Sequence, residues 1–298
     1  MKRIVLFAAV NIAVLAVITA IVEFLGLGRH LAGYGMSLPG LLVLSAVFGF
    51  GGSFISLALS KWMAKTAMGV RVIGEPRNSA EQLLLETVRG HAARLGLAMP
   101  EVGIFESPAP NAFATGARRD RALVAVSSGL LQGMDTDEVR AVLGHEMTHV
   151  ANGDMVTLAL LQGVLNTFVI FLARVVGTLI DGWLSGQREQ RGGGGLFYFA
   201  SVIALQIVFG VLATLIVMAY SRRREYRADA GGARLAGRHN MIDALRALQR
   251  TQAQPLPGQF QAFGIRDGHP GGLMRRLFMS HPPLEERIAA LQAPGPQP

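Results

Sequence analysis

Ala141-Val142-Leu143-Gly144-His145-Glu146-Met147-Thr148-His149-Val150 reads as a helix with chemistry on one face. Just upstream, Asp135 and Glu138 stand three apart, the spacing at which an N-cap and the third helical residue satisfy each other's backbone amides. Val139, Val142, Leu143, Met147 and Val150 recur at helical intervals, and Asn152-Gly153-Asp154 ends the pattern. On such a helix His145 and His149 lie one turn apart and roughly 40° apart around the axis. Two imidazoles so placed suit two corners of one tetrahedral zinc ion, and Glu146, beside the first, is placed to take a proton from water in the open position. The third ligand must come from elsewhere. Two blander readings compete: a surface helix on which two histidines happen to stand a turn apart, and a closed, non-catalytic zinc site. The latter needs a fourth protein ligand, commonly cysteine, and the chain has none.

Composition sets the surroundings of this helix. Of 298 residues 51% are hydrophobic and only 16% charged, with a mean hydropathy of +0.38. That is too apolar for an ordinary water-soluble domain and points to a membrane protein. The net charge of +8 would suggest nucleic acid in a soluble chain, but here Arg and Lys lie beside apolar runs, where membrane topology explains them and no nucleic-acid partner is expected. With no cysteine, disulfides and thiolate ligands are excluded.

Four apolar runs bracket the helix. Residues 4–27 follow Lys2-Arg3 and read as a retained anchor rather than a cleaved signal; residues 39–60 contain Gly49-Phe50-Gly51-Gly52, suited to close helix packing. Residues 156–180 carry Arg174, expected to snorkel or pair, and residues 196–219 end in Arg222-Arg223-Arg224. Basic clusters after the second and fourth runs put both termini and residues 61–155 and 221–298 in the cytoplasm. Whether 156–180 and 196–219 cross fully stays open. Between the pairs of runs, residues 78–97 predict an amphipathic helix capped by Asn78 or Ser79. Glu101–Glu106, Asn111–Gly116 and Ala122–Ser127 predict strands, the last two joined by the basic turn Arg118–Arg121. After the fourth run, 223–235 continues as a helix in which Gly231-Gly232 allows tight packing. Residues 239–252 and 283–292 predict two more helices, 253–275 a loop and 293–298 a frayed tail. The organisation expected is a two-helix anchor (1–60), a cytoplasmic catalytic domain (61–155), a second transmembrane hairpin (156–220) and a C-terminal cytoplasmic part (221–292).

Within Ser221-Arg-Arg-Arg-Glu-Tyr-Arg-Ala-Asp-Ala230, Glu225 is the candidate third ligand. Asp229, one turn on, is placed to hydrogen-bond the free ring nitrogen of a ligating histidine. By spacing alone, an exposed helix laced with Glu–Arg pairs reads equally well. Taken together, His145-Glu-Met-Thr-His149 with Asn152-Gly-Asp154 and then Glu225-Tyr-Arg-Ala-Asp229 resemble the HtpX family of bacterial membrane zinc metalloproteases. That family is related to the CAAX prenyl endopeptidases. Pro110–Gly116 and Ser280-His-Pro-Pro-Leu-Glu-Glu-Arg287 extend the resemblance, which covers the chain from the first anchor to the last helix.

The resemblance implies that His145, His149 and Glu225 bind one zinc per chain, that Glu146 is the general base, and that Asn152 and Asp229 support the ligands. It implies that Asn111, Ala112, Phe113, Ala114 and Thr115 form an edge strand on which substrate adds as a further strand. His281 and Arg287 resemble the pair that stabilises the oxyanion in related prenyl proteases. The blander readings are a plain hairpin edge and a packing or capping histidine before Pro282. The expected fold is a mostly α-helical integral membrane protein of about four transmembrane helices with a small α+β zincin-like domain. The expected function is a zinc endopeptidase of the bacterial inner membrane, cutting cytoplasmic regions of misfolded or damaged membrane proteins as part of stress response and quality control. A prenyl-protein endopeptidase is the enzyme alternative. A transporter or zinc-sensing scaffold is the non-enzyme alternative, and a zinc enclosed by four protein ligands would mark it. Oligomeric state is not legible.

Overall fold

The computed structural model describes residues 37–185, 196–252 and 273–293. The first apolar run, the Gly192–Gly195 linker, residues 253–272 and the tail from 294 lie outside the described residues. Among the described residues, three helices are long and apolar enough to cross a membrane: α1 (Leu38–Ala67), α5 (Asp154–Ser185) and α6 (Leu196–Ala236). Each outruns the apolar stretch read from the sequence. Nothing in Lys61–Ala67 or Arg222–Ala236 breaks a helix, so α1 and α6 extend past their apolar runs as polar helix.

The chain divides into two compact units. The first comprises residues 1–54 and 160–214 and contains the greater part of α1 and α5 and nearly half of α6. Its described core holds Leu38, Leu41, Phe171 and Val175 in one cluster and Ala173, Tyr198 and Val202 in another. Gly49 is packed so closely against Thr167 and Gly163 that a methyl group there would lie 2.4 Å from Thr167 Oγ1. Small residues at a helix crossing let backbones approach where lipid provides no hydrophobic drive. Gly51 and Gly52 face open space instead. Arg174 turns its guanidinium back toward the Ile170 carbonyl of its own helix, at 3.5 Å.

The second unit, residues 55–159 and 215–298, is the α+β domain. Its elements are β1 (Arg71–Val72), α2 (Ser79–Leu95), β2 (Glu101–Phe105), β3 (Ala112–Thr115), a 3-10 turn at Arg119–Arg121, β4 (Leu123–Ser127), α3 (Ser128–Gly133) and α4 (Thr136–Asn152). The end of α6, then α7 (Arg238–Gln252), α8 (Leu273–Phe278) and α9 (Leu284–Gln292) complete it. The four strands lie in the order β1-β2-β4-β3, with β2 and β4 parallel and β1 and β3 antiparallel to their neighbours.

Side-chain alternation along β4 explains why that strand is apolar throughout. Val124 and Val126 enter the main core with Leu84, Val88, Leu143 and Met147, while Leu123 and Ala125 face a second cluster with Ala64 and Phe105. Ala64 belongs to the polar end of α1, which is also held by Lys61 and Lys65 pairing with Glu101 at 3.0 and 2.6 Å. Lys61 further donates to the Arg121 carbonyl. Two lysines read as topology signals therefore also dock a helix onto the sheet. Asn78 caps α2 by accepting from the Glu81 amide, and Gly96 ends it in the left-handed conformation, φ 63°. Three elements depart from the sequence reading. β1 is two residues long and α3 six, too short for periodicity to reveal, and residues 273–275, expected in a loop, open α8.

Candidate metal centre

Helix α4 is fixed before any ligand is considered. Asp135 accepts from the Asp137 and Glu138 amides and Glu138 reaches back to the Asp135 amide at 3.0 Å, the expected capping box. Gly153 stops the helix with φ 67°. Val139, Val142, Leu143, Met147 and Val150 enter the core, which turns His145 and His149 toward α6. The two helices meet at glycines. Methyl groups at Gly144 and Gly231 would lie 3.2 Å from the Gly232 backbone and 2.2 Å from Thr148 Oγ1 respectively. Only this near-contact of backbones lets a carboxylate of α6 reach the imidazoles of α4.

That carboxylate is Glu225, wholly buried. Its oxygens lie 3.4 Å from Nε2 of His145 and 3.4 Å from Nε2 of His149, and the two Nε2 atoms are 3.1 Å apart. His145, His149 and Glu225 form the one group among the described residues whose ligand atoms converge as a metal would need. The far side of each ring is tied down. His145 Nδ1–H donates to Asp229 at 2.9 Å, and His149 Nδ1–H donates to Asp154 at 2.6 Å. With both rings neutral, their Nε2 lone pairs face each other across 3.1 Å, an arrangement that repels unless a proton or a metal cation lies between them. Glu225 Oε1 is buried without a hydrogen-bond partner, a costly state that a cation relieves. A tetrahedral zinc with ligands at about 2.0–2.1 Å has corners about 3.3–3.4 Å apart, so the donor set and its spacing fit that ion.

The remaining sequence candidates fall around this group. Glu146 is part-buried on the same helix. Asp229 is gripped by Arg287 through two hydrogen bonds of 2.8 and 2.6 Å, and the guanidinium, on the Nδ1 side of His145, also brings Nη1 to 3.8 Å from Glu225 Oε2. His281, 60% exposed, contacts the group directly: its Nδ1 is 2.8 Å from Glu225 Oε2. Asn152 lies at the end of α4, where its carbonyl accepts from Arg119. Asp154 takes the position beside His149. Its role escaped sequence reasoning because it follows a left-handed glycine, where helical spacing says nothing about direction. An acid immediately beyond a helix stop, five residues from a ligand, is the signal that was available. Ala112–Thr115 do form an edge strand, and β3 packs against α4, with Asn111 exposed just ahead of it.

The charges lock one another in place. Burial drives the Glu225 carboxyl upward, but in the metal-free protein the neighbouring His145, His149 and His281 imidazoles more than reverse this and hold it far below the usual carboxylate range. Burial likewise raises Asp229, and Arg287 with His145 brings it down to about 2. In the metal-free protein, burial lowers the His145 imidazolium, yet Asp229 and Glu225 lift it to about 9.

Comparison with known proteins places the site in a family. The pattern of peptidase family M48 matches residues 78–294, which include every residue of the converging group. The chain belongs to peptidase family M48. It is 59% identical over 296 residues to Protease HtpX of Thioalkalivibrio sulfidiphilus, covering 98% of this chain and 99% of that one. It is 61% identical over 293 residues to Protease HtpX of Xanthomonas euvesicatoria pv. vesicatoria, covering 98% and 97%. Among solved structures, Ste24p of S. mikatae superposes with a TM-score of 0.61 at 18% identity, over 98% of this chain and 67% of that one, a likeness of fold. This M48 chain is thus a membrane zinc metalloprotease whose described residues hold one group able to bind a metal ion, and its substrates are polypeptides. The prenyl-endopeptidase alternative gains no ground from a neighbour that shares only the fold.

Proposed function

We propose that His145, His149 and Glu225 hold the zinc and that Glu146 is the general base of peptide hydrolysis. The observation that carries this is the triangle of 3.1 to 3.4 Å between two imidazole nitrogens and a wholly buried carboxylate. When bound, zinc would supply a Lewis acid for the scissile carbonyl and lower the pKa of its water to about 7. Glu146 accepts a proton from the attacking water and returns it to the leaving amine. Asp229 and Asp154 keep the Nδ1 protons in place so that both Nε2 lone pairs point at one spot.

His281 is the exposed polar group at the Glu225 carboxylate and the better candidate to donate to a developing oxyanion. Arg287, hydrogen-bonded to Asp229 and 3.8 Å from Glu225 Oε2, acts on this reading as a positioning residue. That revises the pairing of His281 with Arg287 suggested by resemblance. Strand β3, beside α4 at an open sheet edge, receives the substrate backbone as an added strand, with Asn111 to Thr115 setting its register.

The proposal extends to place and substrate. Basic clusters after the spans support a site on the cytoplasmic side of a bacterial inner membrane, within the four-part organisation read from the sequence, where misfolded membrane proteins offer unstructured loops. An exposed edge strand binds extended backbone with little regard to side chains, which suits such substrates. The test is cleavage of an unfolded cytoplasmic loop on a membrane protein by the zinc-loaded enzyme, compared with the same loop in a folded parent. Preferential cutting of the unfolded form is expected. Equal cutting of both would remove the quality-control reading.

A further inference from the structure

We propose that the groove between α6 and α9 is a binding site for an anionic phospholipid. A cavity of about 410 Å³ lies there. Ala230, Ala290 and Leu291 supply apolar wall, Arg223 and Arg227 stand exposed at its rim, and the buried Asp229–Arg287 pair closes its inner end. Three arginines face one aspartate, so the lining carries a net charge of +2. Among the described residues, Arg223 and Arg227 have no ion-pair partner; Glu286 is engaged by Arg276 and Tyr226, and the buried Glu225, 3.8 Å from Arg287, faces His145, His149 and His281.

Position along the helix selects the ligand. Arg223, Arg227 and Ala230 share one face of α6, and one and two turns back toward the apolar run that face carries Ala219 and Ile216, both exposed. From Ala219 to Arg223 the helix rises about 6 Å at 1.5 Å per residue, within a headgroup layer of about 5–8 Å. The Arg227 side chain, a turn further, is long enough to reach back into that layer. A lipid phosphate between the two guanidiniums would leave an acyl chain running along Ala219 and Ile216. An acidic peptide matches the charge but not the exposed apolar stripe leading into the groove.

The test uses full-length, zinc-loaded protein in neutral detergent, with lipid retention followed by native mass spectrometry. Dioleoylphosphatidylglycerol should be retained in preference to dioleoylphosphatidylcholine, and millimolar inorganic phosphate should not displace it. The Arg223→Gln/Arg227→Gln protein should bind phosphatidylglycerol roughly 25-fold more weakly, the product of two losses of about fivefold. Ala290→Trp, which fills the cavity without changing charge, should also lose the lipid. Zinc content confirms that each variant is folded, and either variant that keeps its zinc decides the matter. Wild-type retention by such a variant overturns the proposal. So does equal retention of the two lipids, or displacement by inorganic phosphate or an acidic peptide.

Discussion

The carboxylate of Asp229 lies 2.9 Å from Nδ1 of His145, and Arg287 holds it from the other flank with two hydrogen bonds. The metal group thus rests on a buried chain of three charged or polar side chains contributed by α4, α6 and α9.

Asp229→Asn tests the first link. The amide can still accept from Nδ1–H but brings no charge to fix the ring, so zinc affinity should fall about 10- to 100-fold. Competition with a metal indicator measures it, and excess zinc should restore much of the cleavage.

Arg287→Ala should act differently. It leaves a buried carboxylate with its strongest partner gone, which costs roughly 3–5 kcal/mol. A lower denaturation midpoint at unchanged substrate KM is expected. A normal midpoint with a selective loss of kcat would return Arg287 to the oxyanion.

Gly231 carries the helix crossing. A methyl group there would lie 2.2 Å from Thr148 Oγ1 and 2.8 Å from its Cβ. Gly231→Ala should destabilise the protein by about 1–3 kcal/mol and weaken zinc binding by shifting Glu225. Adding Thr148→Ala should recover part of both losses. Thermal melts and zinc titration of the single and double variants check the pair.

The chelated protein should respond to pH in the sense opposite to zinc binding. His145 binds its proton up to about pH 9 in the folded metal-free state, against 6.5 unfolded. That stabilisation is complete below pH 6.5 and lost as pH rises through 9. Zinc competes with the same proton, so its affinity rises over that interval. Melting temperature should therefore decline from pH 6.5 to 9 with chelator and not with saturating zinc.

How far these features were legible depends on how local their causes are. The capping box at Asp135 and Glu138, the Asn78 cap and the glycine stops at 96 and 153 are written within a few residues of where they act. The long helices are written in hydropathy. Strand β1 and helix α3 owe their existence to neighbours, since neither is long enough to show a period. The convergence of Glu225 on His145 and His149 belongs to tertiary structure. Spacing placed Glu225 and Asp229 on one helical face, but which helix that face meets follows from Gly144, Gly231 and Gly232, whose significance appears only when the backbones are seen together. Asp154 was hidden for a different reason: it follows the left-handed Gly153, beyond which helical spacing gives no direction.

The roles of Glu146 and Glu225 separate cleanly. Glu146→Gln should keep one zinc per chain and lose cleavage by a factor of at least about 10²–10⁴. Glu225→Gln should lose zinc first, by elemental analysis, with activity following.

The most direct measurement is anomalous diffraction at the zinc edge from crystals of the full chain. A single peak about 2.0–2.2 Å from Nε2 of His145, Nε2 of His149 and a Glu225 oxygen is the predicted result. A peak bound by both histidines with the Glu225 carboxylate beyond bonding distance, or one closed by a fourth protein ligand, would contradict the account.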